Sequence, residues 1–245
     1  MKFEDMLNTI TLGDSYKIIK DIPDKSIDCI YVDIPYEMAF SGGGTLKEKL
    51  GKYIKDEVDY FSNGIDYKIF DEFIRVMKNI NLFIWCSKEQ ILDIMNWFAR
   101  YQPNINILTW TKTNPIPFGS SIWLSDIEYC IHFSKNAPYS IGWEYKKKNY
   151  SSPINSKDKD KYNHPTIKPL EMVKKHLLNM TKEGDIVLDC FSGSGTTCVA
   201  CKELNRQFIG IEINPEYHRI SMDRLNGILA NGQLSFDTDI SKIGD

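Results

Sequence analysis

Asp185-Ile186-Val187-Leu188-Asp189-Cys190-Phe191-Ser192-Gly193-Ser194-Gly195-Thr196-Thr197 is the stretch that decides the fold. Its aliphatic start reads as a short buried strand, separated by Gly184 from what precedes it. The small residues that follow form a turn with backbone room at Gly193 and Gly195, opening onto a helix through Val199, Ala200 and Leu204. Phe208-Ile209-Gly210-Ile211-Glu212 is then a second strand ending in an acid, and Pro215 begins a helix through Ile220 and Leu225. Strand, glycine turn, helix, strand and terminal acid make a nucleotide-binding βαβ half, whose ligands sit at the carboxyl edge of a parallel sheet.

Three cofactor classes compete for that turn. A Walker loop needs a lysine after its last glycine, and Thr196 follows Gly195 instead. A dinucleotide fingerprint needs a third small residue where Cys198 stands. S-adenosylmethionine carries no phosphate; it needs backbone room and polar groups for its zwitterion, which Asp189, Ser194, Thr196 and Thr197 supply. Glu212 suits the ribose hydroxyls of S-adenosylmethionine or NAD equally well.

Working outward, Ile27-Asp28-Cys29-Ile30-Tyr31-Val32 is an apolar run that ends in Asp33-Ile34-Pro35-Tyr36. An acid, a proline and an aromatic at a strand end bring together a carboxylate, an exposed carbonyl and a flat ring. Pro35 fixes its own φ and holds Ile34 extended, so the Ile34 carbonyl has one direction. Two acceptors and a stacking face suit a planar ring with an exocyclic amino group.

The remaining elements alternate in type. Strands are expected at Ile10–Asp14, 81–86, 105–110 and 128–133, with helices through Ile18, through Phe70, Phe73, Ile74 and Met77, through Ile91, Ile94, Met95 and Phe98, and from Pro169 onward. His132 reads as a plain strand residue. Two stretches lose the periodicity. Residues 37–66 contain Gly42-Gly43-Gly44 with Lys47, Lys49, Lys52 and Lys55, and are expected as a lid or DNA-contact loop with a solvated insertion as the rival. Residues 135–163 interleave lysines, among them Lys146, Lys147 and Lys148, with Tyr139, Trp143, Tyr145, Tyr150 and Tyr162. That mixture suits a phosphate backbone and unstacked bases, and is expected as a small target-recognition insertion.

The 245 residues, 42% hydrophobic and 26% charged, suffice for one folded domain over 1–245. A net charge of −3 provides no global basic field, so a polyanion must meet a local patch. No 18-residue apolar run or signal-peptide core is visible, and a cytosolic protein without membrane contact is expected. The six cysteines mostly lie in apolar segments, as reduced buried thiols do. Cys198 and Cys201 form a CxxC inside a helix with no second pair, so no metal is assigned.

In this order these pieces resemble the β-group of DNA amino-methyltransferases, which act on adenine N6 or cytosine N4. The resemblance rests on Gly13-Asp14, Asp33 to Tyr36, Trp110 to Pro115, His164-Pro165-Thr166-Ile167-Lys168-Pro169, Phe191 to Thr197 and Phe208 to Tyr217. It implies a Rossmann-like α/β fold: a twisted, mainly parallel sheet with helices on both faces and the catalytic half before the cofactor half. Asp33, Ile34, Pro35 and Tyr36 would be catalytic. Phe191, Ser192, Gly193, Ser194, Gly195, Thr196 and Thr197 would wrap S-adenosylmethionine together with Asp189, Glu212 and Asn214. Asp14 would lie near its adenine, and His164, Thr166 and Lys168 near its methionine end. Lys47, Lys52 and Lys146 to Lys148 would meet DNA.

The family usually has proline where Ile34 stands and glutamine where Ile167 stands. Asp at the first tetrapeptide position is typical of adenine enzymes and Ser of cytosine enzymes, so the resemblance implies adenine-N6 methylation. Cytosine N4, an RNA adenine and a non-catalytic binding subunit are the alternatives. A homodimer, a cognate restriction endonuclease and a bacterial, archaeal or phage origin belong to the same expectation.

Overall fold

The computed structural model describes residues 1–36, 64–115, 123–138, 142–154 and 167–229. Its strands are β1 (Thr9–Leu12), β2 (Cys29–Asp33), β3 (Ile80–Cys86), β4 (Asn104–Lys112), β5 (Ile127–Lys135), β6 (Asn149–Ser152), β7 (Ile186–Asp189) and β8 (Gln207–Glu212). They form one sheet in the order β1-β8-β7-β2-β3-β5-β4-β6. Pairing is parallel from β1 across to β3 and between β4 and β6, while β5 runs antiparallel to both of its neighbours. The helices are α1 (Phe3–Met6), α2 (Ser15–Ile18), α3 (Ile69–Val76), α4 (Ile91–Ala99), α5 (Leu170–Met180), α6 (Thr196–Glu203) and α7 (Pro215–Leu225).

The two faces of the sheet follow from strand alternation. Ile30 and Val32 of β2, with Leu82 and Ile84 of β3, point to the side where Phe70, Phe73, Ile94 and Phe98 of α3 and α4 pack. Cys29, Tyr31, Phe83 and Trp85 point to the other side, against Met172, Val173, Leu177, Ala200 and Cys201 of α5 and α6. Helices of the first half thus cover one face and helices of the second half the other. Each fully buried phenylalanine here contributes about 1.5–3 kcal/mol of burial free energy. Among the described residues, no helix is long and apolar enough to cross a membrane.

Two elements depart from expectation. Among its described residues, the stretch 135–163 contains one helical turn at Trp143–Tyr145 and the strand β6. The polar sequence Asn149-Tyr150-Ser151-Ser152 hides that strand because among the described residues it is an edge, paired to β4 alone. It is secured by the Asn149 amide donating to Thr109 Oγ1 at 2.9 Å and Thr111 Oγ1 at 2.7 Å, a polar contact that leaves no hydrophobic alternation. The short α1 was likewise not foreseen; its one buried residue, Met6, gives too little signal for a period.

Candidate active site

β2 and β7 are neighbours, with Cys29 opposite Val187 and Ile30 opposite Leu188. From this pair the chain continues to β3 on one side and to β8 on the other, so the sheet's switch point lies between their ends. Asp33 and Asp189 close the two strands there, and Leu12, Cys86 and Glu212 end their strands on the same edge. Because β5 runs the opposite way, its first residues also lie on this edge.

The end of β2 is held by two hydrogen bonds, the second from a side chain that is itself fixed. The Ile34 N–H donates to the Trp85 carbonyl at 3.2 Å, a bond that proline could not make. The Gln90 amide donates to the Pro35 carbonyl at 3.0 Å, and its own oxygen accepts from the Ser87 N–H at 3.0 Å. The Ile34 side chain is buried in the core, which gives a physical reason for isoleucine at this position. No described donor reaches the Ile34 carbonyl.

Asp33 belongs to a chain of alternating charges. Lys168 Nζ lies 2.6 Å from Asp33 Oδ2 and 2.9 Å from Glu128 Oε2, and Lys112 Nζ lies 2.8 Å from Glu128 Oε1. The Lys168 ammonium also donates to the Tyr36 hydroxyl at 3.3 Å and sits 5.4 Å above the Trp85 ring. Burial opposes the charge on Lys168, yet Asp33 and Glu128 overcome it and hold the ammonium well above the ordinary lysine range. Burial also opposes the Glu128 charge, and Lys168 with Lys112 brings that carboxyl down to about 2. Asp33 is raised by burial, with Lys168 pulling the other way. Its second oxygen, Oδ1, is buried and has no hydrogen-bond partner among the described residues.

The glycine turn shows a division of labour among its polar groups. Gly193 and Gly195 have positive φ, 50° and 75°. A Cβ on Gly195 would also stand 2.8 Å from the Ser221 Cβ, so close packing against α7 requires glycine there. Glu212 Oε2 accepts from the Gly193 N–H at 2.7 Å and Oε1 from the Asn214 N–H at 2.8 Å, tying the turn to the end of β8. Asp189 accepts from the Phe191 N–H at 3.2 Å. Its burial lifts the carboxyl to about 7, with the Thr197 hydrogen bond opposing and nearby Asp33 and Glu212 adding to the rise.

Several hydroxyls of the turn face the protein. Ser192 Oγ donates to the Asp189 carbonyl and accepts from the Ile211 N–H, stapling the turn across β7 and β8. Arg224 of α7 donates to Ser194 Oγ at 2.9 Å and Thr196 Oγ1 at 3.0 Å. The hydroxyls of Ser192, Ser194 and Thr196 therefore shape the turn from inside. Asn214 caps α7 by accepting from the Glu216 and Tyr217 N–H groups, and Asp14 caps α2 by accepting from Tyr16 N–H at 3.0 Å. Gly13 N–H donates to the Glu212 carbonyl, which brings Asp14 beside Glu212.

His164, Thr166, Lys47 and Lys52 lie outside the described residues. Lys168 stands on Asp33, and so beside the β2 end. Lys146, Lys147 and Lys148 rim a cavity of about 440 Å³ on the α5 face, with Asn104 and His176 in its wall. His132 is buried there, stacked 4.0 Å from Phe83, and burial lowers it to about 4. All six cysteines are buried free thiols, and no metal-holding cluster occurs among the described residues. Sequence reasoning missed Glu128, Lys112, Trp85 and Gln90. The available signal was an acid at the first turn of an antiparallel strand, which becomes informative only once β5 is known to start at the site.

The acids Asp14, Asp189 and Glu212 gather around the mouth of the glycine turn, and Thr196 stands directly after Gly195 where a phosphate loop has lysine. Such a mouth fits a cofactor with ribose hydroxyls, an ammonium and a sulfonium, and disfavours a dinucleotide. Residues 27–223 match the family model described as DNA methylase. The chain belongs to this DNA methylase family. Type II methyltransferase M.HinfI of Haemophilus influenzae is 31% identical over 93% of this chain and 70% of its own length. Type II methyltransferase M2.DpnII of Streptococcus pneumoniae is 30% identical over 87% of each. Among solved structures, the M1.HpyAVI–SAM complex superposes with a TM-score of 0.62 at 28% identity, covering 88% of this chain and 98% of that one. The cytosine-N4-specific PvuII DNA methyltransferase shares the fold, with a TM-score of 0.66 at 17% identity over 88% and 87% of the two chains. The methylase is thus an S-adenosylmethionine-dependent DNA methyltransferase with a Rossmann-like α/β fold.

Proposed function

We propose that this methylase transfers the methyl group of S-adenosylmethionine to the N6 amino group of adenine in DNA, using Asp33 and the Ile34 carbonyl as paired acceptors. The observation that carries this reading is Asp33 Oδ1, a buried carboxylate oxygen with no hydrogen-bond partner among the described residues, next to a carbonyl that no described donor reaches. The adenine amino lone pair is delocalised into the ring and is a poor nucleophile. Two acceptors on its hydrogens draw the nitrogen toward sp3 geometry and turn the lone pair to one side, so positioning and electrostatics supply the catalysis. Bound S-adenosylmethionine contributes an electrophilic methyl on a sulfonium. Glu212, Asp14, Phe191 and the glycine turn hold its adenosine side, Asp189 meets its zwitterion, and Asp33 faces the incoming amine.

The target atom is inaccessible inside a duplex, so the base leaves the stack, and the ring of Tyr36 is the surface that receives it. Methyl transfer makes the nitrogen cationic, and the surplus proton passes to Asp33 or to water. Asp33 in place of serine favours adenine over cytosine N4. Lys47, Lys52 and Lys146 to Lys148 form the DNA-contact set of this proposal, with 37–66 as a lid and 135–163 as a small recognition insertion within a single 1–245 domain. A cytosolic bacterial setting, a homodimer and a cognate endonuclease complete it; the Type II names of the relatives support the endonuclease.

Methyl-labelled cofactor offered with duplex DNA, single-stranded DNA, RNA and protein tests the substrate class, and nucleoside analysis of the product tests the base. N6-methyladenine in DNA is expected. Label found only as N4-methylcytosine, or only in RNA or protein, overturns the reading.

A further inference from the structure

We infer that Glu128 is a positioning residue for methyl transfer, acting through Lys168 to keep Asp33 Oδ1 free for the target amine. The inference rests on the paired-acceptor reading above. A lysine is a flexible point charge, and a lysine facing a carboxylate alone can bridge both oxygens. Here Lys168 Nζ meets Asp33 at Oδ2, at 2.6 Å, while Oδ1 has no hydrogen-bond partner among the described residues. What draws the ammonium to that side is the charge of Glu128, whose Oε2 makes an ion-pair contact at 2.9 Å outside hydrogen-bond geometry, together with the Tyr36 hydroxyl at 3.3 Å.

Glu128 is itself fixed from two directions. It lies within β5, opposite Trp110, so its backbone is set by the sheet register. Its other oxygen is held by Lys112 at 2.8 Å, from the end of β4. The four charges sum to zero, and each interior member touches one on either side. The ammonium is thus held between two carboxylates, with one oxygen of Asp33 reserved for substrate.

Glu128→Gln removes the charge that draws Lys168 away from Oδ1 and leaves the shape. The ammonium then spreads over both Asp33 oxygens and competes with the amine. A drop in kcat of about 10–100-fold is expected, the scale of a small misplacement of a reacting group. The KM for S-adenosylmethionine is expected to stay unchanged, since Glu128 makes no contact with the glycine turn. Glu128→Asp, one methylene shorter and still charged, should give an intermediate kcat, and it serves as the readout if Glu128→Gln does not fold. In a Lys168→Met background the Glu128→Gln change should have no further effect on kcat. A parental kcat in Glu128→Gln, or in Glu128→Asp where that serves as the readout, overturns the inference. So does a loss that multiplies fully with Lys168→Met. An Asp33→Ala variant run alongside separates the two layers: its full activity would defeat the acceptor reading itself, whereas its loss beside an active Glu128→Gln would defeat only the role of Glu128.

Discussion

Replacing Lys168 with methionine keeps most of the side-chain volume and removes the charge that three groups share. Breaking one partner out of a buried ion pair costs about 3–5 kcal/mol, because the charge left behind is uncompensated. Glu128 keeps Lys112 at 2.8 Å, and 35% of the Asp33 side chain remains open to water, so the cost falls below that range, at about 2–3 kcal/mol. For a chain of this size that is a fall in Tm of roughly 4–12 °C. The loss has a definite pH dependence. Burial already raises the Asp33 carboxyl, and without Lys168 it rises further. An acid whose folded pKa lies above its unfolded value contributes stability that is fully present below the unfolded value and is lost as pH rises through the folded one. Glu128, released from about 2 when Lys168 is gone, moves in the same direction. The gap between parent and Lys168→Met is therefore small near pH 4 and widens toward neutrality in urea or thermal unfolding. Adding Asp33→Asn should close much of it. An equal gap at both pH values, or no gap, would refute the electrostatic reasoning.

Asp189, buried and lifted to about 7 from an ordinary value of 3.8, makes the free methylase lose stability as pH rises through that window, by about 4 kcal/mol at most. Asp189→Asn should flatten the Tm profile over the same window; parallel profiles would show that the carboxyl is not under that strain. Gly195→Ala combines a φ of +75° with a Cβ 2.8 Å from Ser221, and should cost about 1–3 kcal/mol in chemical denaturation with little change in the m-value. Parental stability would mean that α7 yields at no cost.

Most of the fold was legible because its signals are local. The aliphatic run before Asp189 and the acid after Ile211 mark strands of a nucleotide-binding half without knowledge of the partners. Likewise Asp33 to Tyr36 announces a strand end with two acceptors. What could not be read depends on pairing. Glu128 looks like an ordinary strand acid until β5 is seen to start where β2 and β4 finish. Lys168 carries no mark in the sequence of standing on Asp33, 135 positions away. The bonds of the turn hydroxyls were harder still, since nothing local in the sequence shows that Arg224 reaches Ser194 and Thr196 from α7. Ile34 shows the reverse: its departure from the family's habit is explained by a buried side chain and by the N–H bond to Trp85 that proline would forfeit.

The central claim is that Asp33 acts on the target amine and not on the cofactor. Asp33→Ala, compared with the parent for cofactor affinity by calorimetry and for single-turnover methyl transfer to DNA, tests it most directly. Cofactor affinity within a few-fold of the parent with transfer abolished is the predicted result. Near-parental transfer by that variant would contradict the account.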